Sequence, residues 1–228
     1  MNFDVVYKNR FQDDVIINRD KMWKALCSEF FDNYVRVENN ILDLAAGYCD
    51  FINNVGEDKN TINVHVRGRR VAVDLNPDTK RYAADFVEVY HSRAEQLDFI
   101  SDNSMDVVFV SNFFEHIPDK DDILKILQEC NRILVLGGKL LILQPNIKYV
   151  GEEYWDFFDH YTPITDKSMC EALLAVEGFN ITEVIDRFLP YTTKSKIPQF
   201  PWLVRLYCHV PFAWKIMGKQ MFIVAEKI

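Results

Sequence analysis

Two aspartates and a loop of small residues form the clearest candidate for a ligand site in this sequence. Asp43 lies at the end of a short apolar run, and the small residues from Ala45 to Gly47 follow it. Residues with little or no side chain let a ligand approach the backbone closely. We expect a helix to begin near Cys49, with its first N–H groups directed at the bound ligand.

A second carboxylate follows the next apolar run. Asp74 ends the segment VAVD, at the position where an α/β nucleotide site places the carboxylate that accepts hydrogen bonds from a ribose diol. For Asp43 and Gly47 alone, an ordinary strand-to-helix turn with an acidic helix cap is an equal alternative. The second acid after a second strand favours one shared crevice.

Two histidines are the candidates for proton transfer. His116 and His160 both belong to stretches predicted at the mouth of the crevice, and histidine titrates near neutral pH. For His116 the alternative is that it braces the helix after the fourth strand. Asp156 is a better candidate than the adjacent Asp159 to orient His160. Because His116, His160 and these two acids have no tight ligand spacing, no metal site is predicted.

An aromatic segment follows the fifth predicted strand. We predict that side chains near the crevice contact the acceptor, namely Phe113, Tyr154, Trp155, Asp156 and Phe158. The rings in this set form either a lid that excludes water or a platform for a sugar face. A hydrophobic plug that closes the sheet is an equal alternative.

Strands and helices alternate in the order needed to bring these residues together. Predicted strands cover 41–44, 71–74, 86–90, 105–113, 139–143, 179–187 and 220–226; helices cover 20–34, 51–56, the segment from Asp119 or Asp121 to Gly137 and Gly138, and 166–176. This pattern predicts a Rossmann-like, doubly wound α/β sheet in a single domain, residues 1–228. An N-terminal arm and helix occupy residues 1–36. The basic residues Arg67, Arg69 and Arg70 are interpreted as a solvated edge.

Residues 189–219 form an insertion before the last strand that is rich in aromatic and basic residues. Core packing or a dimer contact is the favoured interpretation, and a peripheral contact with a membrane is the alternative. No run reaches the roughly 18 apolar residues needed to span a bilayer, and the start of the sequence lacks the apolar core of a signal peptide. We therefore expect a cytoplasmic protein, a monomer or homodimer, with contact at the inner face of the membrane left open.

Composition limits the partners. The chain has 34 acidic and 26 basic residues among 228, a net charge of -8, which excludes nucleic acid as the expected partner because phosphates would be repelled. Five scattered cysteines without a CxxC pair indicate neither a zinc site nor a disulfide framework. A small-molecule ligand fits this composition better.

The order of these motifs resembles the class I S-adenosylmethionine-dependent methyltransferases over nearly the whole chain. That resemblance implies a seven-stranded sheet whose last strand is inserted antiparallel between the fifth and sixth. It also implies a set of cofactor contacts: the methionine part at Asp43, Ala45 and Gly47, the ribose at Asp74, the adenine at Leu75, Ala94 and Glu95, and the sulfonium near Asn112.

Within that family, the segments YWDFFDHYTP and FLPYTTKS resemble bacterial members found among glycosyltransferase and surface-polysaccharide genes. The resemblance implies O- or N-methylation of a sugar, or of a sugar-linked or lipid-linked precursor of a surface glycan. Ala45 and Cys49 stand where the usual loop has glycine, so an inactive cofactor-binding partner of a glycan enzyme is the alternative. A nicotinamide-dependent oxidoreductase is disfavoured because the GxGxxG pattern is absent.

Overall fold

The computed structural model describes residues 13–56, 67–191 and 200–228. Seven strands within these residues form one sheet, in the order β3-β2-β1-β4-β5-β7-β6. Their bounds are β1 (Ile41–Leu44), β2 (Arg70–Asp74), β3 (Glu88–His91), β4 (Met105–Ser111), β5 (Leu134–Pro145), β6 (Phe179–Ile185) and β7 (Gln220–Lys227). Strands β1 to β5 pair in parallel, and β7 pairs antiparallel with β5 and β6. The predicted α/β sheet, with its last strand inserted antiparallel, is confirmed.

Parallel pairing brings the carboxyl ends of several strands to one edge of the sheet. Leu44, the last residue of β1, pairs with Val73 of β2 and Val110 of β4. The first residue of β7, Gln220, pairs with Pro145 at the end of β5. Since β6 runs antiparallel to β7, the chain leaves β6 and returns to β7 at this same edge. We call it the carboxyl edge of the sheet.

Helices cover both faces of the sheet. The α-helices are α1 (Asp13–Glu29), α2 (Lys120–Ile133), α3 (Ile147–Val150), α4 (Asp166–Ala175), α5 (Pro201–Cys208) and α6 (Pro211–Met217). Alternate residues along a strand point to opposite faces, so Leu42 packs in the cluster that includes α2 and α4, whereas Ile41 packs in the one that includes α1 and α5. Short 3-10 helices occupy residues 31–33, 77–81, 114–116 and 151–156.

Several predicted boundaries differ from the structure. The first helix begins at Asp13 and ends at Glu29, instead of covering 20–34; the arm before it, residues 1–12, lies outside the described residues. Asp119 caps α2 by accepting a hydrogen bond from the N–H of Asp121 at 2.9 Å. That helix ends at Ile133, and both glycines expected to end it lie inside β5, which is longer than predicted.

The basic residues before β2 are not uniformly solvated. Arg69 forms an ion pair with Glu88 at 2.7 Å, whereas Arg70 is only 1% exposed and donates a hydrogen bond to the carbonyl of Asn39 at 2.5 Å. Burial lowers the pKa of the Arg70 guanidinium to about 10. The solvated-edge interpretation is therefore wrong for Arg70, because this first residue of β2 pairs with Ile41 of β1 and is buried.

The insertion before β7 is helical where the structure describes it. Helices α5 and α6 each begin at a proline, which suits the first helical position because that residue's N–H has no partner in the helix. Val204 and Trp214 pack against the apolar cluster that contains Ile41. Residues 192–199 of the insertion, which include the second half of the FLPYTTKS segment, lie outside the described residues. Across the parts that the structure describes, every helix is too short or too polar to span a bilayer.

Candidate active site

The loop after β1 has a backbone conformation that L-residues adopt only at a cost. Ala45, Gly47 and Cys49 have φ values of 60°, 51° and 58°, all in the left-handed region. The helix expected near Cys49, and its continuation to Gly56, is wrong, because residues 47–56 form successive turns. A left-handed residue at Cys49 interrupts the right-handed path that a regular helix requires.

Gly47 opens a space beside the loop. A β-carbon built on Gly47 would meet no atom within 4 Å. The glycines expected at two neighbouring positions are replaced by Ala45 and Cys49, and the loop nevertheless keeps its left-handed conformation at both. Each replacement costs roughly 1–2 kcal/mol relative to glycine. The loop therefore keeps its left-handed conformation and carries this strain. We call the loop 45–49, with the open space beside Gly47, the cradle.

Asp74 joins the loops after β1 and β2. One carboxylate oxygen accepts a hydrogen bond from the N–H of Gly47, and the other accepts one from the N–H of Asn76, both at 2.7 Å. A carboxylate oxygen has two lone pairs, so each oxygen of this half-buried side chain retains one for a ligand hydroxyl. Asp74 therefore lies where two adjacent hydroxyls of a ribose could bind, with the carboxylate already oriented by the backbone.

Asp43 is a buried acid close to other acids. Its side chain is 4% exposed and accepts a hydrogen bond from the N–H of Ile52 at 3.3 Å. Burial raises the pKa of Asp43 well above its usual value, and the charges of Asp50 and Asp74 raise it further. A cation bound beside Asp43 would favour the ionised carboxylate and lower this pKa. The site is thus electrostatically suited to a positively charged ligand.

The residues predicted to contact adenine lie after β2 and β3. Leu75 is 58% exposed, and its carbonyl oxygen lies 2.5 Å from Nε2 of His91, which ties the end of β3 to the loop after β2. Ala94 is buried, whereas Glu95 is half-buried and forms an ion pair with Arg93. An exposed apolar side chain next to the cradle is compatible with a bound base. Its role stays a prediction.

The exit of β4 brings the predicted catalytic region to the same edge. Asn112 has a φ of 47° and donates its N–H to the carbonyl of Leu143 at 2.9 Å. This left-handed residue redirects the chain into the 3-10 helix at 114–116. Phe113 is half-buried, and its N–H lies 3.4 Å from Oε1 of Gln144. The two predicted contact residues thus lie at the junction of β4 and β5.

His116 is held by the residue that precedes His160. Its Nδ1 lies 2.8 Å from the carbonyl oxygen of Asp159 and 3.5 Å from the Oδ2 of the same residue. A carbonyl oxygen can only accept, so Nδ1 carries the proton and the lone pair of the neutral ring lies on Nε2. The imidazole is about one quarter exposed, at 26% of its side-chain area. His116 is therefore oriented as a proton acceptor.

His160 is oriented by a backbone group and not by Asp156. Its Nδ1 lies 2.8 Å from the carbonyl oxygen of Tyr154, whereas Asp156 is exposed to solvent. The two imidazole rings of His116 and His160 lie 5.0 Å apart between centroids. The structure brings the two predicted catalytic residues together, and the expectation that Asp156 orients His160 is wrong. The local chain path explains the difference, because it turns the Tyr154 carbonyl toward the ring.

Glu115 is a site residue that sequence reasoning missed. It is 2% exposed, and its Oε2 accepts a hydrogen bond from Nε2 of Gln144 at 2.6 Å. Burial raises the pKa of Glu115, and the neighbouring His116 opposes that rise. Glu115, His116 and His160 each offer one potential metal-ligand atom within 4.8 Å of the others. These three side chains are close in space although their sequence spacing predicts no metal site, and neither Asp156 nor Asp159 is part of the group.

The aromatic segment divides into inward and outward residues. Tyr154 is fully buried and donates its hydroxyl to the carbonyl of Thr162 at 2.5 Å, so it supports the loop from inside. Burial raises the pKa of Tyr154. Trp155 and Phe158 are 58% and 79% exposed. Among the predicted acceptor-contact residues of this segment, Trp155, Asp156 and Phe158 are therefore the ones accessible to a molecule from solvent.

The central part of the chain is similar to known methyltransferases. Residues 42–142 match a family model described as a methyltransferase domain. A ubiquinone/menaquinone biosynthesis C-methyltransferase from Hahella chejuensis is 29% identical over 128 residues, which cover 54% of this chain and 49% of that protein. A demethylmenaquinone methyltransferase from Alkalihalophilus pseudofirmus is 24% identical over 178 residues, covering 72% and 71%. The chain thus spans only about half the length of the first of these relatives.

The fold is shared with solved methyltransferases. A structure of an S-adenosylmethionine-dependent methyltransferase from Archaeoglobus fulgidus superposes with a TM-score of 0.65, covers 99% of this chain and 100% of that one, and is 15% identical. Residues 42–142 are therefore similar to a methyltransferase domain, and the chain shares the fold of S-adenosylmethionine-dependent methyltransferases, a class whose cofactor is S-adenosylmethionine. The open cradle at Gly47, the buried acid Asp43 and the available lone pairs of Asp74 fit a cofactor with two cationic groups and a ribose diol.

Proposed function

We propose that this protein transfers a methyl group from S-adenosylmethionine to an oxygen or nitrogen atom of a sugar or a sugar-linked small molecule. The observation that carries the proposal is the presence of an oriented imidazole, His116, at the same sheet edge as the cofactor cradle of Gly47 and Asp74. The cofactor would supply a methyl group already activated by its positively charged sulfur. The protein's own residues would position the two reactants and remove a proton from the acceptor.

The first task is to hold the two reactants against each other. Placement of reacting atoms accounts for much of the rate in such displacements. The cradle is rigid because Asp74 joins two loops, and the acceptor side is held by hydrogen bonds from His116 and Tyr154 to backbone carbonyls. Both halves are therefore organised before an acceptor binds.

The second task is to remove a proton from the acceptor. A hydroxyl or a protonated amine must lose its proton for its lone pair to attack, and the Nε2 of His116 is the atom that would take it. The Asp159 carboxylate near Nδ1 stabilises the imidazolium that forms, and Glu115 adds a second acid beside the ring. His160 completes the cluster as a neighbour that helps to define the position of His116.

The exposed rings support a carbohydrate acceptor. Aromatic side chains bind the apolar face of a sugar ring by stacking, and Trp155 and Phe158 are exposed rings in the segment that also carries His160. Asp156, exposed between them in sequence, would accept hydrogen bonds from sugar hydroxyls. This combination of rings and a carboxylate is the kind of surface that recognises a polyol.

Methylation of a ring carbon is a second candidate. It is favoured by the similarity to methyltransferases of ubiquinone and menaquinone biosynthesis. The same His116 would act by taking the proton of a phenolic hydroxyl and so increasing the electron density on the ring. The two candidates differ in acceptor and share the cofactor site.

The test has two steps. Isothermal titration of the purified protein with S-adenosylmethionine should show one site, and absence of binding would refute the proposal. Protein with methyl-labelled cofactor is then offered nucleotide sugars, lipid-linked sugars and demethylated quinols, and the products are analysed by mass spectrometry. A methylated sugar supports the proposal, a methylated quinol replaces it with the second candidate, and cofactor binding without turnover of any acceptor favours an inactive partner of a glycan enzyme.

A further inference from the structure

Helices α5 and α6 carry apolar side chains on their outward as well as their inward faces. In α5, Trp202 and Leu206 are 61% and 55% exposed, and in α6, Phe212 and Ile216 are 71% and 62% exposed. The two members of each pair are four positions apart, so their side chains lie on the same side of the helix. The inward faces carry Val204 and Trp214 in the apolar core, among others. We call the four exposed residues the outward apolar pairs.

The charged residues of the segment that carries the outward apolar pairs are all basic, and two of them pair with acids from other segments. Residues 200–219 contain Arg205, Lys215 and Lys219 and no acidic residue, in a chain whose net charge is -8. The Arg205 side chain is 62% exposed and lies 3.7 Å from Glu29, and Lys215 is also exposed. Lys219 forms an ion pair with Glu153 at 2.6 Å. Arg205 and Lys215 are therefore the exposed cations beside the apolar pairs, and Glu29 offsets part of the charge of Arg205.

We propose that the outward faces of α5 and α6 bind the surface of a lipid bilayer that carries anionic headgroups. Exposed tryptophan and phenylalanine insert at the boundary between headgroups and acyl chains, and basic residues beside them attract anionic lipids. The helices are far too short to span the bilayer, so they lie on it. A bilayer satisfies both the apolar and the basic side chains of this surface.

A second copy of the chain fits this surface less well than a bilayer does. In a two-fold dimer, the same patch of each subunit meets its copy. Such an interface would bring Lys215 near its symmetry mate, where like charges repel, and Glu29, an acid beside α5, already pairs with Arg205. The net negative charge of the chain does not oppose docking, because α5 and α6 themselves carry no acidic residue.

The position of the insertion relates this surface to the active site. The chain leaves β6 and enters β7 at the carboxyl edge, where the cofactor cradle and His116 also lie. The ion pair between Lys219 and Glu153 ties the end of the insertion to the aromatic segment. Docking therefore brings this edge of the sheet near the membrane. Resting on the proposed function, this indicates an acceptor that is itself anchored in lipid, such as a sugar carried on a lipid.

The test measures lipid binding without any turnover. Wild-type protein is mixed with vesicles of phosphatidylcholine alone, or of phosphatidylcholine with phosphatidylglycerol, and the bound fraction is measured by flotation. We expect binding to the anionic vesicles, reduced by added salt, and an affinity at least about tenfold lower for a Trp202→Ser, Phe212→Ser variant. The matched control is Leu174→Ser in α4, because Leu174 is 60% exposed but lies outside the surface.

Three outcomes would overturn the proposal: no binding of the wild type to anionic vesicles, equal binding of the double variant, or a wild-type dimer in solution that the double variant dissociates. Titration with S-adenosylmethionine is run on the double variant in parallel, and unchanged cofactor affinity shows that the variant is folded. Because lipid binding is measured without cofactor or acceptor, its failure would leave the methyltransferase proposal standing. Failure of methyl transfer would equally leave the lipid surface in place.

Discussion

The two halves of the candidate site are held in different ways. On the cofactor side, after β1 and β2, the backbone makes the shape: the left-handed loop and the two N–H groups bound to Asp74 define where a ligand can lie. On the acceptor side, after β4 and β5, side chains make it: His116 and His160 depend on carbonyls of the segment 154–159. Both sides meet at the carboxyl edge of one sheet.

Because of this difference, a substitution in one half of the site can leave the other half unchanged. A site made by strand ends and backbone torsions tolerates little variation, because each change strains the loop or removes a bond that the fold itself uses. A site made by side chains that project from one connecting segment can alter its acceptor without altering the cofactor cradle. We therefore expect substitutions on the two sides to have separable effects on cofactor affinity and on turnover.

The largest separable effect is expected on the acceptor side. His116→Gln removes the proton acceptor and retains a side chain of similar size, so turnover of a hydroxyl acceptor should fall roughly 100-fold or more. Cofactor affinity should change little, because His116 lies outside the cradle. Single-turnover rates and isothermal titration measure the two quantities. A parallel loss of cofactor affinity would contradict the separation of the two halves.

The next effect tests the cofactor side. Asp74→Ala removes the carboxylate and leaves the N–H groups of Gly47 and Asn76 without their acceptor. We expect cofactor affinity to fall at least about 30-fold, since a lost charged hydrogen-bond partner costs about 2–3 kcal/mol. The control is Asp78→Ala, because Asp78 is paired with Arg81 in the 3-10 helix that follows β2. Equal affinities for both variants would show that Asp74 does not contact the ligand.

The same contrast explains which parts of the molecule could be predicted from sequence. The alternation of apolar runs with helical segments was sufficient for the sheet, and the ends of β1 and β2 located Asp43 and Asp74, because parallel strands share one carboxyl edge. The short helix after Gly47 was predicted wrongly, since Cys49 adopts a left-handed conformation that its residue type does not indicate. Here tertiary contacts with β2 override local preference.

The acceptor side was less accessible to sequence reasoning for a physical reason. His116 and His160 are 44 positions apart, and the bonds that bring them together end on backbone carbonyls, which every residue carries. Glu115 could have been noticed as an acid inside an otherwise apolar exit from a buried strand. Its partner Gln144, a buried polar residue directly after the apolar run 140–143 on β5, gives a similar signal. Neither residue reveals from sequence which other side chain it contacts.

A smaller effect should follow from filling the cradle. Gly47→Ala places a β-carbon in the open space beside the loop and adds about 1–2 kcal/mol of left-handed strain. Gly137→Ala is the matched control: its φ is 75°, and the nearest atom to an added β-carbon is 3.9 Å away, but it lies in β5 away from the cradle. Both variants should lose thermal stability, and only Gly47→Ala should lose cofactor affinity, by about tenfold.

Equal cofactor affinity of the two glycine variants would mean that the space beside Gly47 is not where the ligand binds. A large loss for both would point to strain as the cause. The comparison therefore distinguishes steric exclusion from general destabilisation, and thermal unfolding measured on the same samples corrects for the second.

The smallest effect concerns the stability of the cofactor-free protein and its dependence on pH. The pKa of Asp43 is raised in the folded state by burial, whereas in the unfolded chain it is about 3.9. Between these two values the native protein holds a proton that the unfolded chain releases, so the stability contributed by Asp43 falls as pH rises through that window.

Asp43→Asn removes this loss, because the amide has no charge to bury and its oxygen can still accept from the N–H of Ile52. The variant should therefore unfold at a temperature a few degrees above the wild type at pH 7, with a smaller difference near pH 4, while the exposed control Asp98→Asn shows no such trend. If Asp43→Asn is instead less stable at every pH, the carboxylate must be stabilised by the fold itself, and the cofactor side would then not depend on a bound cation to complete its electrostatics.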